Sequence, residues 1–163
     1  MSTAAGSILE PCFADAPVAA DVARGVTRLF CRQELFAICE VPLPNGRRAD
    51  LMGIDPKGNL TIVEIKVAKA DLLGDCKWTD YLDYCDHFYW AVPPHLAAIL
   101  DGEDYLPGEA GLIVADRYDA ALVRNAVHRP LAAARRKAEL LRFARRAARR
   151  LSEQLDPTLG TWT

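Results

Sequence analysis

The sequence predicts an α/β protein in which a central mixed sheet is flanked by helices and the chain closes with a long basic helix. Segments with helical and strand periodicity alternate along the first two thirds of the chain, which favours this class over all-α and all-β folds. The 163 residues are 51% hydrophobic and 26% charged, a balance typical of a chain that buries a core. We therefore expect one domain over residues 1–163, with its core at about 15–116 and the basic helix at about 131–155.

The order of the elements follows from local signals. Asp15 is the expected N-cap of a first helix, with Pro17 in its first turn, and this helix ends near Cys31. Apolar and β-branched runs bounded by turn residues predict the strands, and 3.6-residue periodicity predicts the helices. The predicted elements after the first helix are a strand at 34–41, a hairpin at 47–67, a helix at 75–85, a strand at 87–92, a short helix at 95–100, a strand at 111–116 and the closing helix.

Composition argues against several classes of protein. No apolar run approaches the roughly 20 residues of a transmembrane helix, and the first ten residues lack the Lys or Arg of a signal peptide, so we place the protein in the cytoplasm. The five cysteines are widely spaced and contain no CxxC pair, which favours buried reduced thiols over disulfides or a zinc site. They are Cys12, Cys31, Cys39, Cys76 and Cys85.

The hairpin "RRADLMGIDPKGNLTIVEIKV", residues 47–67, places charges on strands that are otherwise apolar. Its "DPKGN" segment predicts a three-residue loop in which Pro56 fixes φ and Gly58 is left-handed. Because side chains alternate, the charged residues are expected on the face of Met52 and Ile62, with Leu51, Val63, Ile65 and Val67 on the other. The predicted antiparallel pairs are Ile54 with Leu60, Met52 with Ile62, Asp50 with Glu64, and Arg48 with Lys66.

Asp50 opposite Glu64 is an unfavourable pair of like charges unless something neutralises it. Mg²⁺ or Mn²⁺ would do so, since both ions prefer oxygen ligands. By the same argument, a phosphate would neutralise Arg48 opposite Lys66. The alternative is a solvated sheet face on which Glu64 pairs with Lys66.

These residues resemble a known family. Asp50, thirteen further residues and then Glu64-Ile65-Lys66 are similar to the D…ExK motif of the PD-(D/E)xK nuclease superfamily, although Ala49 stands where the superfamily name has Pro. The wider run from residue 47 to 94 resembles the MmcB-like proteins associated with bacterial DNA repair. The resemblance implies a restriction-endonuclease-like αβββαβ core.

The resemblance also implies a metal-dependent DNA nuclease acting in repair. Asp50, Glu64 and the backbone carbonyl of Ile65 would hold Mg²⁺ or Mn²⁺, and Lys66 would orient the attacking water or neutralise the phosphorus centre. Glu40 on the first strand is either a further ligand or a surface acid, and Glu34 is a second candidate. Arg48, Lys77 and Tyr81 would contact the substrate phosphate. The alternative function is a non-catalytic module that keeps the nuclease fold and binds DNA or recruits other repair proteins.

The closing segment is a second indication of a nucleic-acid partner. Residues 131–150 hold eight of the twenty Lys and Arg residues and a single acid. A helical wheel places Leu140, Ala144, Ala147, Ala148, Leu151 and Leu155 on one side. The opposite side carries six arginines without interleaved glutamates, which predicts contact with the DNA backbone, the alternative being a solvated helix. The arginines are Arg135, Arg142, Arg145, Arg146, Arg149 and Arg150.

Overall fold

A computed structural model describes residues 18–70, 77–98 and 108–162. It contains one mixed sheet of six strands in the order β1 to β6, flanked by helices, which confirms the predicted α/β class. The strands are β1 Phe36–Pro42, β2 Arg48–Ile54, β3 Leu60–Ile65, β4 His87–Val92, β5 Gly111–Ala115 and β6 Ala120–Arg124. The helices are α1 Ala19–Arg32, α2 Pro94–Ala97 and α3 Ala133–Leu155, with 3-10 helices at Trp78–Tyr84 and Pro157–Trp162.

The two faces of the sheet are covered by different elements. β1, β2 and β3 form an antiparallel meander, β3, β4 and β5 are parallel, and β6 is antiparallel to β5. Helix α1 covers one face, where Val22 and Val26 share a core with Leu51. The first 3-10 helix and α3 cover the other, where Tyr81 and Phe143 share a second core with Met52, Ile62, Phe88 and Trp90.

The hairpin has the predicted register from the loop to its middle. Ile54 pairs with Leu60, Met52 with Ile62 and Leu51 with Val63. Gly58 has φ of +81°, so the loop uses the left-handed conformation that glycine tolerates best. Turn chemistry therefore set the register of the buried strands.

The predicted pairing of Arg48 with Lys66 is wrong. Ala49 shares a core with Met52 while Leu51 faces the other core, so the regular alternation of β2 breaks at Asp50. Lys66 lies beyond the end of β3, and its backbone N–H donates to the carbonyl of Ala91 on β4. Arg48 instead pairs with Glu40 on β1, with 2.5 Å between Nε and Oε2.

Several other expectations need correction. The described part of the predicted helix at 75–85 is a 3-10 helix, whose three residues per turn bury Tyr81 and Tyr84. Strand β6 was not predicted, and β1 begins at Phe36 rather than at residue 34. Asp15 and Pro17 lie outside the described residues. In the part of the chain that the structure describes, no helix is long and apolar enough to cross a membrane.

The expectation of five buried thiols is also wrong. Cys31 and Cys39 are exposed free thiols, and Cys85 is a buried free thiol. Cys12 and Cys76 lie outside the described residues.

Helix α3 is oriented differently from the wheel prediction. Leu151 and Leu155 are 57% and 78% exposed, whereas Glu139 and Phe143 are the buried residues of the helix. Arg136 donates to Asp86 at the sheet and contributes to this orientation. Of the predicted apolar side, Leu140 packs against the core, whereas Leu151 and Leu155 near the end of α3 are exposed.

Candidate metal and phosphate site

Asp50 and Glu64 meet just beyond the last regular pair of the β2–β3 ladder. The backbone N–H of Asp50 donates to Oε1 of Glu64 at 3.2 Å, and the N–H of Ile65 donates to Oδ2 of Asp50 at 2.7 Å. Each carboxylate is thus held by a backbone group of the opposite strand. The predicted juxtaposition of Asp50 and Glu64 is present in the fold.

Both carboxyl groups of this acid pair, Asp50 and Glu64, have raised pKa values. The Glu64 residue is 5% exposed, and burial first, then the charge of Asp50, raises the pKa of Glu64 to about 8. Burial also raises the pKa of Asp50, although the N–H of Ile65 acts in the opposite direction. Attraction to Lys66 favours both charged forms but is a smaller effect than burial. The pair therefore disfavours two negative charges in the absence of a cation.

Aromatic residues lie beside the acid pair. The buried Tyr81 hydrogen-bonds the Glu64 side chain, and its hydroxyl lies 3.4 Å from the carbonyl oxygen of Arg48. Trp90 is the β4 neighbour of Glu64 in the sheet register. The Nζ of Lys66 lies 5.4 Å from the centroid of the Trp90 ring. Lys66 therefore extends along the same face as Glu64.

Glu40 reaches the acid pair from β1. Cys39 pairs with Leu51 and Val41 with Ala49, so Glu40 stands opposite Asp50 by count. Its charge acts on Asp50 and raises the pKa of that carboxyl, although less than burial does. Glu34 lies before β1, at the end of the strand remote from Glu40, so the structure separates it from the acid pair.

The predicted phosphate contacts are placed unevenly. Arg48 is exposed and carries its ion pair with Glu40 beside the acid pair. Lys77 is exposed at the N-cap of the 3-10 helix, while Tyr81 is buried. Residues four apart do not align in a 3-10 helix, so Lys77 and Tyr81 do not share one face of it.

The donor atoms at this site fit a hard divalent cation. Carboxylate oxygens are the ligands that Mg²⁺ and Mn²⁺ prefer, and a cation would compensate the charge that burial disfavours. Within residues 18–70, 77–98 and 108–162, no three His, Cys, Asp or Glu side chains form a group suited to hold an ion. A cation at Asp50 and Glu64 would therefore complete its coordination with backbone oxygen, such as the carbonyl of Ile65, and water.

Most of the six nominated arginines of α3 have partners within the protein. Glu139 is fully buried and pairs with Arg142 at 2.5 Å and with Arg135 at 3.7 Å. Arg149 pairs with Glu153 at 2.6 Å, and Arg150 donates to carbonyls of β1. The predicted absence of interleaved glutamates is therefore wrong.

Arg145 and Arg146 differ from the other four arginines, since neither makes a hydrogen bond or ion pair with any described residue. A shallow concavity of about 770 Å³ runs along this side of α3. Its lining includes Arg142, Arg145, Arg146, Arg149 and Arg150.

These features define an α/β protein with a half-buried Asp50 and a buried Glu64 side by side at the end of a hairpin and a basic helix across the same face. A family model described as DNA repair protein MmcB-like matches residues 13–158. The chain belongs to this MmcB-like family, and membership indicates a role in DNA repair.

A solved structure supports the fold. It is a protein of unknown function from Silicibacter pomeroyi that is 42% identical to this chain, with a TM-score of 0.78. The similarity covers 88% of this chain and 95% of that protein. No protein in the set of curated proteins matches the chain.

Proposed function

We propose that this protein is a metal-dependent DNA nuclease of the PD-(D/E)xK type that acts in DNA repair. The observation that carries the proposal is the acid pair of Asp50 and Glu64. Two neighbouring carboxyl groups with raised pKa values each accept a hydrogen bond from a backbone N–H of the opposite strand, and two such groups side by side are unfavourable in a purely structural role. Membership of a DNA repair family makes DNA the proposed substrate.

The residues of this chain suit phosphodiester hydrolysis. A bound Mg²⁺ or Mn²⁺ would polarise the scissile phosphate and lower the pKa of a water molecule. Asp50 and Glu64 would bind the ion, with the Ile65 carbonyl as a further ligand. Lys66, on the same face as Glu64, would orient the water or neutralise charge on the phosphorus centre.

Neighbouring residues would exclude water and position the phosphate. The buried rings of Tyr81 and Trp90 lie beside Glu64 and limit its access to water, which strengthens electrostatic interactions within the site. Arg48 lies at the exposed edge, where its guanidinium could donate to a phosphate oxygen in exchange for Glu40. This exchange would leave Glu40 available to the metal.

The arginine-lined concavity of α3 is the proposed DNA contact. Arg145 and Arg146 are the residues that would neutralise phosphates there, because they form no ion pair with the described part of the protein. Arg135, Arg142 and Arg149 have acidic partners and would contribute less. This surface lies on the α3 side of the sheet, which is also the side of Glu64.

The experiment is a cleavage assay with purified protein. Labelled single-stranded, double-stranded, nicked and branched DNA would be incubated with Mg²⁺, Mn²⁺ or EDTA, with Lys66→Ala as the matched variant. We expect cleavage of at least one DNA form with metal, none with EDTA and none by Lys66→Ala. Absence of cleavage by the wild type on every form, together with retained DNA binding, would instead support the non-catalytic repair module.

A further inference from the structure

The indole ring of Trp90 lies beside the acid pair, deep in the core. Trp90 is 4% exposed and is the β4 neighbour of Glu64, so the two side chains stand next to each other on one face of the sheet. The ring of Phe88, two residues earlier on the same strand, packs edge-on against it, with 5.2 Å between the centroids and 90° between the planes. This packing gives the indole ring a defined orientation.

The polar atom of this ring has no partner among the residues that the structure describes. The indole Nε1 of Trp90 is buried, yet it donates no hydrogen bond to any of them. A buried donor without an acceptor is unfavourable, and a phenylalanine at this position would fill space without that cost. The advantage of tryptophan here is therefore expected from the face of its ring, which attracts a cation more strongly than the face of phenylalanine does.

Lys66 supplies a cation on that face. Its Nζ lies 5.4 Å from the centroid of the Trp90 ring, inside the roughly 6 Å over which a ring attracts an ammonium group. Lys66 follows the last residue of β3, and its backbone N–H donates to the carbonyl of Ala91 at 2.9 Å, which fixes the start of the side chain. Because Trp90 is level with Glu64, the long side chain of Lys66 turns back along the strand toward the acid pair.

An aromatic ring holds an ammonium group differently from a carboxylate. A carboxylate attracts the ammonium group through its charge, and that attraction weakens when a bound metal ion neutralises the carboxylate. A ring attracts the ammonium group through its quadrupole, which a metal ion at the acid pair leaves unchanged. The contact also leaves N–H donors of the ammonium group directed away from the ring, toward water or a phosphate oxygen.

We propose that Trp90 is a positioning residue that holds the ammonium group of Lys66 beside the acid pair, where it meets the phosphate of the DNA substrate. The inference rests on the proposed function, because it requires that Lys66 acts on a phosphate or on the attacking water. It assigns a role in cleavage to a buried aromatic residue that is not part of the D…ExK motif.

The first test measures the contact itself by NMR of the full-length protein without metal or DNA. Protons held over the face of an aromatic ring resonate upfield of their ordinary position. We expect the Cε protons of Lys66 to lie upfield of those of the exposed Lys57. They should move part of the way back in Trp90→Phe and the whole way in Trp90→Leu. The wild-type spectrum alone decides whether the contact exists, so this test does not depend on the folding of either variant.

The second test measures the consequence for cleavage. Trp90→Leu should lower the single-turnover rate at saturating protein by about tenfold or more, and Trp90→Phe should fall between it and the wild type. Affinity for DNA should change far less than the rate, because Trp90 is buried and acts through Lys66. Phe143→Leu is the matched control, since it removes another buried ring from the same core, on α3, and should cleave at the wild-type rate.

The outcomes separate this inference from the proposed function. Wild-type Cε protons of Lys66 at the same position as those of Lys57 would overturn the positioning role of Trp90 alone. Equal cleavage rates of the wild type and Trp90→Leu, or an equal loss in Phe143→Leu, would do the same while the nuclease activity of the wild type remained. A wild type that cleaves no DNA form would overturn the proposed function and this inference together.

Discussion

Two buried carboxylates on the same face of the sheet have opposite environments. Asp86 is 1% exposed and accepts hydrogen bonds from the guanidinium of Arg136 and the backbone N–H groups of Leu60 and Leu131. Burial opposes its ionisation, yet these donors outweigh burial and lower the pKa of Asp86. Glu64 is 5% exposed, but burial and the neighbouring Asp50 raise its pKa to about 8.

The difference distinguishes a structural acid from a candidate functional acid. Asp86 joins the start of β3, the segment before α3 and α3 itself, so its charge is used within the fold. Glu64 is placed where its negative charge is costly, and a fold tolerates such a cost mainly at functional sites. The comparison assigns stability to Asp86 and, under the proposed function, metal binding to Glu64.

The largest expected effect is on catalysis. Asp50→Asn and Glu64→Gln should each reduce DNA cleavage by at least about 10³-fold, equivalent to about 4 kcal/mol of transition-state stabilisation, because each removes a metal ligand. The measurement is single-turnover cleavage at saturating protein, so that weaker DNA binding cannot imitate the defect. Residual activity within tenfold of the wild type would remove these residues from the mechanism.

For the free energy of unfolding, substitution of Asp86 should have a larger effect than substitution of Glu64. Asp86→Asn should lower the free energy of unfolding by about 3–5 kcal/mol, because it leaves Arg136 without its anionic partner. Glu64→Gln should leave the metal-free protein equally stable or stabilise it at pH 8, because it removes a charge that burial disfavours. Urea unfolding in EDTA would measure both, and a larger loss for Glu64→Gln than for Asp86→Asn would reverse the comparison.

Glu64 and Asp86 should make stability change with pH in opposite directions. Since the folded-state pKa of Glu64 is raised to about 8, the folded protein holds a proton that the unfolded chain releases near its ordinary value. The contribution of Glu64 to stability is therefore present at low pH and lost as pH rises toward 8, at about 1.4 kcal/mol per unit of pKa shift. Glu64→Gln should flatten this dependence between pH 5 and 8 in EDTA.

Asp86 supplies the opposite case, because its folded-state pKa is lowered. Its contribution to stability is present above the ordinary aspartate pKa and is lost as pH falls through the folded-state pKa.

For Glu64, the contradicting outcome is a Glu64→Gln variant whose stability depends on pH between 5 and 8 as that of the wild type does.

The smallest expected effect concerns DNA affinity. Replacing Arg145 and Arg146 together by Gln should reduce the salt dependence of DNA binding by about two units of slope, because roughly 0.9 of a counterion is released per phosphate contact. Arg28→Gln with Arg32→Gln is the matched control, since these exposed arginines lie on α1, which covers the other face of the sheet. Equal slopes for both double variants would exclude the α3 concavity as the DNA contact.

Local chemistry made the hairpin predictable. The residues Pro56 and Gly58 specify a loop length, and the loop length fixes which residues face each other at Met52 and Leu51. The juxtaposition of Asp50 with Glu64 followed from the same count. The count from the loop does not predict the break in alternation at Asp50, where the regular pairing with β1 is also interrupted opposite Glu40.

The orientation of α3 could not be predicted from a helical wheel. The wheel assumes that leucine and alanine face the core, but the buried residues of the helix are Phe143 and Glu139. The charge of Glu139 is compensated by Arg142 of the same helix. Which side of α3 meets the sheet also depends on Arg136 and its distant partner Asp86. The roles of the arginines therefore became visible only in the tertiary structure.

The central claim is that the acid pair of Asp50 and Glu64 binds a divalent cation, whereas the buried Asp86 does not. Mn²⁺ titration of the wild type, Glu64→Gln and Asp50→Asn, followed by the paramagnetic signal of free Mn²⁺, tests it most directly. The account predicts saturable binding by the wild type and loss of that binding in both variants, each of which should remain folded. No binding by the wild type, or equal binding by all three proteins, would contradict it.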